Sequence, residues 1–414
     1  MLEANKGKAT TVADIEDVLD GNLCRCTGYR PIFDAFKSMA TGTNESNGYQ
    51  QNVKVCSKLT SKRAIGKVKT SEGDWMIPTS VNDLVTVLDQ LPQGGSYRLV
   101  DGNTGRGIYD ADTAYETYIS LKAVKELVEF TTDPLVIGAG MSLTSVIDLF
   151  EEVSSDPNYK YCQTIADHIK KVAHPSVRNA GTIGGNLMLK HSHIDFPSDL
   201  FLLVETIGAQ LVIKSHDGSE QKVSPMEFLN VDMTRKFLLR IEFPKTTDQM
   251  FSYKTMLRSI NTHAYVNGGL RIRVDSNFII QERPRLVFGG ISPDFIHATS
   301  TENYLNGKDL KDQNVLQQAL QMLKSEVVPN EDPVMASPAY RSHLTQALLY
   351  RVGNEFMYLS QKIFRSYFFT FFHSLYLLFL DHQHHLKSKV VHMELQEEFP
   401  VGSRLTKQIQ PFSL

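Results

Sequence analysis

Two cysteines separated by one residue are the first feature of this chain with chemical potential. Gly21-Asn22-Leu23-Cys24-Arg25-Cys26-Thr27-Gly28-Tyr29-Arg30-Pro31 sets Cys24 and Cys26 between glycines and ahead of a proline. Thiolates so placed suit a metal or cluster, and a [2Fe–2S] cluster takes four protein ligands, usually thiolates. Only Cys56 and Cys162 remain, and neither lies in a Gly-rich setting. The pair therefore reads as half of a ligand set, with two buried structural thiols as the alternative.

Two glycine-rich segments form a second constellation. One is Leu99-Val100-Asp101-Gly102-Asn103-Thr104-Gly105-Arg106-Gly107; the other is Arg178-Asn179-Ala180-Gly181-Thr182-Ile183-Gly184-Gly185-Asn186. Glycines let consecutive backbone N–H groups point into one concavity and let a ligand come close. Asn and Thr add side-chain donors, so the two loops together suit a pyrophosphate. Neither matches the G-x-G-x-x-G fingerprint or the P-loop. An ordinary turn is the alternative for each. His191-Ser192-His193 has no accompanying Cys/His pattern and reads as a pair of loop histidines.

These residues need a scaffold. The 414 residues exceed one compact core, so two to four domains are expected. A net charge of -3 leaves no basic footprint for nucleic acid. Four cysteines in so long a chain point to a reducing compartment, and the N-terminal residues lack the apolar core of a secretory signal. Ile15, Val18 and Leu19 predict a helix before Cys24, and Pro31 opens a second after Cys26. Residues 41–70 are polar and aperiodic, a linker. From residue 75 to 245 helical and strand signals alternate. Ser80 or Thr79 caps a helix bearing Val81, Leu84, Val85 and Leu88, and Leu135-Val136-Ile137-Gly138-Ala139-Gly140 is a buried strand followed by a helix after Ser142. Ile165, Ile169 and Val172 mark another helix; 209–213 and 237–241 are strands. Residues 250–310 favour strands, and 310–327 and 340–352 favour helices. The class is α+β.

At this point the residues resemble a known family. Asp14 to Ala40, centred on CRCTGYRP, resembles the second [2Fe–2S] domain of the molybdenum hydroxylases, the aldehyde oxidase and xanthine dehydrogenase family. Residues from about 74 to 244 resemble that family's FAD-binding domain, of the fold shared with p-cresol methylhydroxylase (PCMH-type). Residues ~250–355 resemble its C-terminal flavoprotein subdomain, with boundaries good to a few residues. Segments 196–201 and 261–265 look closer to insect-type aldehyde oxidases. The implied layout is a remnant of the helical cluster domain over 1–45 and a linker over 46–70. An FAD domain with two mixed α/β subdomains follows over 71–248, then a CO-dehydrogenase-like α+β subdomain over 249–358 and a non-family tail over 359–414.

The resemblance implies roles. Cys24 and Cys26 would be cluster ligands. Leu99, Val100, Asp101, Gly102, Asn103, Thr104, Gly105 and Arg106 would wrap the FAD pyrophosphate. Thr182, Ile183, Gly184, Gly185 and Asn186 would form the second FAD loop, Asp199 would hydrogen-bond the cofactor, and Val172 and Leu238 would touch the flavin. It further implies a cytoplasmic homodimer passing electrons from iron–sulfur clusters through FAD to oxygen or NAD. Departures accompany the match. The chain starts after the family's C-G-x-C segment, and the first cluster domain and the domain holding the molybdenum cofactor are absent. Gly105 and Arg106 replace an acidic and an apolar residue, and Tyr265 replaces a lysine. Ser366 to Leu380 is apolar but shorter than the ~20 residues that span a bilayer, so the tail is expected to be a disordered, non-membrane extension. Three readings compete: a redox module inactive as an aldehyde oxidase alone, a self-standing FAD-dependent NADH oxidase or dehydrogenase, and a non-functional fragment.

Overall fold

The computed structural model describes residues 66–358 apart from 72, 106–113, 259–261 and 333–335, together with Thr11, Val12, Ile15, Phe33, Phe36 and Lys37. Apart from Val12, Ile15, Phe33, Phe36 and Lys37, which are helical, the expected helices around Cys24 and Cys26 lie outside the described residues, as do most of the linker and the tail.

The first sheet contains β1 (Gly66–Thr70), β2 (Gly73–Ile77), β3 (Tyr97–Val100) and β4 (Thr117–Ser120) in the order β1-β2-β4-β3. β4 runs parallel to β2 and β3, and β1 pairs antiparallel with β2. Helix α1 (Val81–Asp89) covers the sheet. Its N-terminus forms because the Ser80 hydroxyl accepts from Asp83 N, and Val81, Leu84, Val87 and Leu88 make its buried stripe.

β1 corrects the expected linker, which ends before Gly66. Four of its five residues are exposed, so no apolar alternation marked it. Backbone pairing with β2 and a Lys67–Asp74 ion pair of 2.9 Å fix it instead.

The second sheet is wholly antiparallel, in the order β5-β6-β9-β7-β8. Its strands are β5 (Phe130–Thr132), β6 (Leu135–Gly138), β7 (Gln210–Ser215), β8 (Glu220–Val223) and β9 (Lys236–Glu242). Five helices lie between β6 and β7: α2 (Leu143–Val153), α3 (Tyr161–Ile169), α4 (Pro175–Ala180), α5 (Ile183–Ser192) and α6 (Asp199–Ile207). A short α7 (Pro225–Phe228) precedes β9. All nine residues of α6 are buried, as expected of a helix packed on every side.

The third sheet is antiparallel: β10 (Gln249–Thr255), β11 (Val266–Ile272), β12 (Arg285–Gly289) and β13 (Ile296–His297) in chain order. Helices α8 (Thr299–Leu305), α9 (Gln313–Glu326) and α10 (338–358) complete it. Helix α6 packs against β11 and β12, which joins the second and third sheets.

Strand β9 separates two cores, its alternation shifted by a bulge in the pairing with β7 between Leu238 and Arg240. Phe237 and Leu239 enter the core beneath the first sheet, while Leu238 and Ile241 enter the core of the second.

Candidate cofactor-binding site

A cavity of about 660 Å³ opens beside β9. Its size falls within the range of cofactor pockets. Three parts of the chain wall it. The segment after β3 contributes Leu99 through Gly105; the second sheet and its helices contribute Ala139, Gly140, Thr182, Gly184, Gly185 and Leu238; and the third sheet and its following loop contribute Lys254, Thr262 and His263.

Most residues singled out in the sequence meet here. Leu99, Val100, Asp101, Gly102, Asn103, Thr104, Gly105, Val172, Thr182, Gly184, Gly185, Asn186, Asp199 and Leu238 all line the cavity. Ile183 does not. Its side chain sits in the second core, 1% exposed, and its N–H donates to Met141 O at 3.1 Å. Arg106, Cys24 and Cys26 lie outside the described residues.

The two glycine segments differ in chemistry. The second is the start of helix α5, not a loop. Thr182 caps it, accepting from Gly185 N at 3.0 Å, while Gly184 N donates to Ala139 O at 2.8 Å and Asn186 N to Thr182 O at 3.1 Å. Those helix-terminal donors already have acceptors within the protein. The first segment keeps its own open. The N–H groups of Gly102, Asn103, Thr104 and Gly105 have no acceptor among the described residues. Asn103 adopts a left-handed conformation, φ 52°. Such a turn directs successive N–H groups into one concavity, an anion-binding nest.

Close packing joins the segments. A Cβ on Gly102 would overlap the Ala180 carbonyl, and one on Gly184 would lie 2.6 Å from Ala139 O. Asn186 adds a side chain: its Oδ1 accepts from Ser198 Oγ at 2.5 Å, and its amide N–H groups have no acceptor among the described residues.

Asp199 anchors a buried charge cluster at another wall. It sits in the first turn of α6, after the Ser198 cap. Its Oδ2 lies 2.7 Å from Lys254 Nζ; its Oδ1 accepts from Asn267 Nδ2 at 2.9 Å and lies 3.2 Å from His168 Nε2. Burial alone would raise this carboxyl. The Lys254 charge and the His168 hydrogen bond outweigh it and hold the group well below the usual carboxylate range. Two acceptors, Asp199 Oδ2 and Lys171 O, hold the Lys254 ammonium; an ammonium has three donors, so one N–H is left for a ligand.

Lys254 was not found from sequence. A single lysine in the Phe251–Thr255 run carries no motif, and its partner Asp199 is 55 residues away, as the numbering gives. Phe196 and His263 also line the cavity, with ring centroids 5.8 Å apart. Tyr265 does not; its ring meets Tyr340 at 6.5 Å. Cys162 is wholly buried, and burial pushes its thiol up to about 12, which keeps it protonated and inert. His191, expected in a loop, lies instead in the last turn of α5, with its Nε2 2.8 Å from Val231 O, and His193 caps that helix. Among the described residues, no three His, Cys, Asp or Glu side chains converge as a metal site, and no helix is long and apolar enough to cross a membrane.

An α+β framework that brings an open N–H nest, a capped helix terminus and a buried ion pair around one cavity has the parts of a dinucleotide-cofactor module. Comparison with known proteins gives the family. Residues 67–246 match the profile described as the FAD binding domain in molybdopterin dehydrogenase, residues 251–356 the CO dehydrogenase flavoprotein C-terminal domain, and residues 1–37 a [2Fe-2S] binding domain. The chain belongs to the molybdenum hydroxylase family and carries its FAD-binding module. Abscisic-aldehyde oxidase of Arabidopsis thaliana is 31% identical over 404 residues, covering 86% of this chain and 29% of that protein. An indole-3-acetaldehyde oxidase of Zea mays is 30% identical over 362 residues, covering 78% of this chain and 26% of that protein. The chain thus spans less than a third of the length of these curated relatives. Quinoline 2-oxidoreductase from Pseudomonas putida 86 shares the fold: TM-score 0.56, 22% identity, 67% of this chain and 94% of that one. So does a chain of carbon monoxide dehydrogenase from Hydrogenophaga pseudoflava: TM-score 0.56, 20% identity, with the same coverages of 67% and 94%.

Proposed function

We propose that this chain is the electron-transfer module of an aldehyde-oxidase-like molybdo-flavoenzyme. In this reading it takes electrons from [2Fe–2S] clusters, passes them through FAD to oxygen or NAD, and hydroxylates no aldehyde alone. The observation that carries it is the cavity: a ligand-sized volume whose one wall offers four open N–H donors. When bound, FAD supplies the one- and two-electron chemistry, and the protein supplies binding, orientation and electrostatics.

The residues divide that work. Gly102, Asn103, Thr104 and Gly105 donate N–H groups to the diphosphate, and Asn186 adds amide donors. Gly184 and Gly185 let the second wall come close. Val172 and Leu238 give apolar surface that excludes water. Asp199 holds Lys254 so that its remaining N–H faces the cavity. Cys24 and Cys26 serve a cluster in the same scheme. In the same proposal the FAD domain runs over 71–248 and its companion over 249–358. A homodimer and a cytoplasmic setting belong to the same proposal.

The test is a titration of the purified 414-residue chain with FAD. Saturable quenching of flavin fluorescence at one site per chain is the expected result. A folded chain that takes up no FAD would overturn the reading, and aldehyde turnover by the chain alone would overturn its division of labour.

A further inference from the structure

Asp101 stands where a negative charge is least expected. It lines the cavity directly before the Gly102–Gly105 donors. Its carboxyl has no hydrogen-bond or ion-pair partner among the described residues. Its Oδ2 lies 3.3 Å from where a Cβ on Gly140 would sit, so the carboxyl is packed onto the turn that follows β6. Gly140 also lines the cavity. A dinucleotide's diphosphate held by the adjacent N–H groups would bring two negative charges to this carboxylate.

We propose that Asp101 makes dinucleotide uptake proton-linked: its carboxylate opposes the diphosphate, and its neutral carboxyl does not. The inference rests on the proposed placement of the diphosphate at Gly102–Gly105. Burial raises the Asp101 carboxyl above the ordinary value, and the Lys122 charge, from the chain after β4, draws it partly back. The other charged groups on the cavity wall are Arg98, Lys236, Lys254 and Asp199, with His263 titratable. Asp199 is held ionised by its partners and gives a constant background. Burial holds His263 below its ordinary value, and its protonated form favours anions. A simple pH profile would therefore mix two groups. The ratio of dissociation constants between wild type and an Asp101 variant isolates one.

The experiment measures FAD dissociation constants by fluorescence on the full chain from pH 5 to pH 8.5, for wild type, Asp101→Asn and Asp101→Ala. The expected ratio of wild type to variant is lowest at the acid end. It climbs to roughly tenfold at the alkaline end, the scale of one like-charge contact in a partly screened site. Either variant suffices if the other folds poorly. A ratio that stays flat, or variants that bind more weakly at high pH, overturns the inference and gives Asp101 a favourable ligand contact. Wild type that takes up no FAD at any pH refutes the parent reading instead, which distinguishes the two failures.

Discussion

A Cβ on Gly102 would overlap the Ala180 carbonyl, so the first glycine segment reaches the second only because position 102 has no side chain. The neighbouring backbone cannot rotate away as a side chain would. Gly105, three residues on, is different: a Cβ there meets only the Leu189 methyls, at 3.3 and 3.6 Å, and those can shift. Gly102→Ala should therefore push the nest off the C-terminal end of α4 and misdirect its donors. Hydrogen bonds to charged groups contribute about 1.5–3 kcal/mol each, so losing one weakens FAD binding by roughly 10- to 150-fold. Gly105→Ala should stay within about tenfold of wild type. Fluorescence titration of both variants checks this, and equal losses would show that the approach of the two segments is not what holds the cofactor. The Asp199 cluster follows a different logic. Its carboxylate is surrounded by Lys254, His168 and Asn267, so removing any one partner leaves a buried charge less compensated.

At the scale of elements, the join between α6 and the third sheet is electrostatic as well as apolar. His297 on β13 lies between two carboxylates, 3.1 Å from Glu205 of α6 and 3.3 Å from Glu302 of α8. Burial lowers the imidazolium, but the two hydrogen-bonded carboxylates outweigh that and raise it to about 9 from an ordinary 6.5. A raised histidine contributes stability that is fully present below pH 6.5 and is lost as pH climbs through 9. With 23% of the side chain exposed, the contribution is discounted to on the order of 2 kcal/mol. His297→Gln should thus cost about that much at pH 6 and little at pH 9.5, measured by urea unfolding. A cost equal at both pH values would mean that packing, not charge, makes the join. Lys190, buried on α5 and lowered to about 8 by burial, gains stability as pH rises from there; both proteins share it, so it cancels in the difference. These elements also show what the sequence could carry. Helices α1 and α2 were legible because a serine cap precedes an apolar stripe in each, Ser80 and Ser142. Three strands of the third sheet, β10 to β12, were legible from runs of β-favouring residues, whereas the two-residue β13 was too short to read. The second glycine segment read as a loop because Gly184 and Gly185 are poor helix formers; the Thr182 cap and the contact with Ala139 override that propensity. Helix α6 carries apolar residues on all sides and shows no period to read. Lys254 and His168 gain meaning only when folding brings them to Asp199.

Across the whole described fold, the cavity is the place where all three sheets contribute to one surface. Elsewhere the first sheet joins the second chiefly through β9, whose Phe237 and Leu239 complete the core under α1. A ligand spanning the cavity contacts the segment after β3, the start of α5 and Lys254 of β10 together. Binding energy available only in the native state adds to stability, about 2.7 kcal/mol at a hundredfold excess over the dissociation constant. The chain provides its own local reporter. Trp75, its one tryptophan, lies on β2 in the first sheet and stacks on Tyr118 with ring centroids 5.0 Å apart. If FAD engages the first wall, saturating cofactor should move the urea midpoint of Trp75 fluorescence by as much as it moves the far-UV circular dichroism, which reports all three sheets. A shift in the dichroism without one in Trp75 would place the ligand against the second and third sheets alone. The open N–H nest of residues 102–105 would then have to serve another anion, because the first sheet gains nothing from a ligand it does not touch.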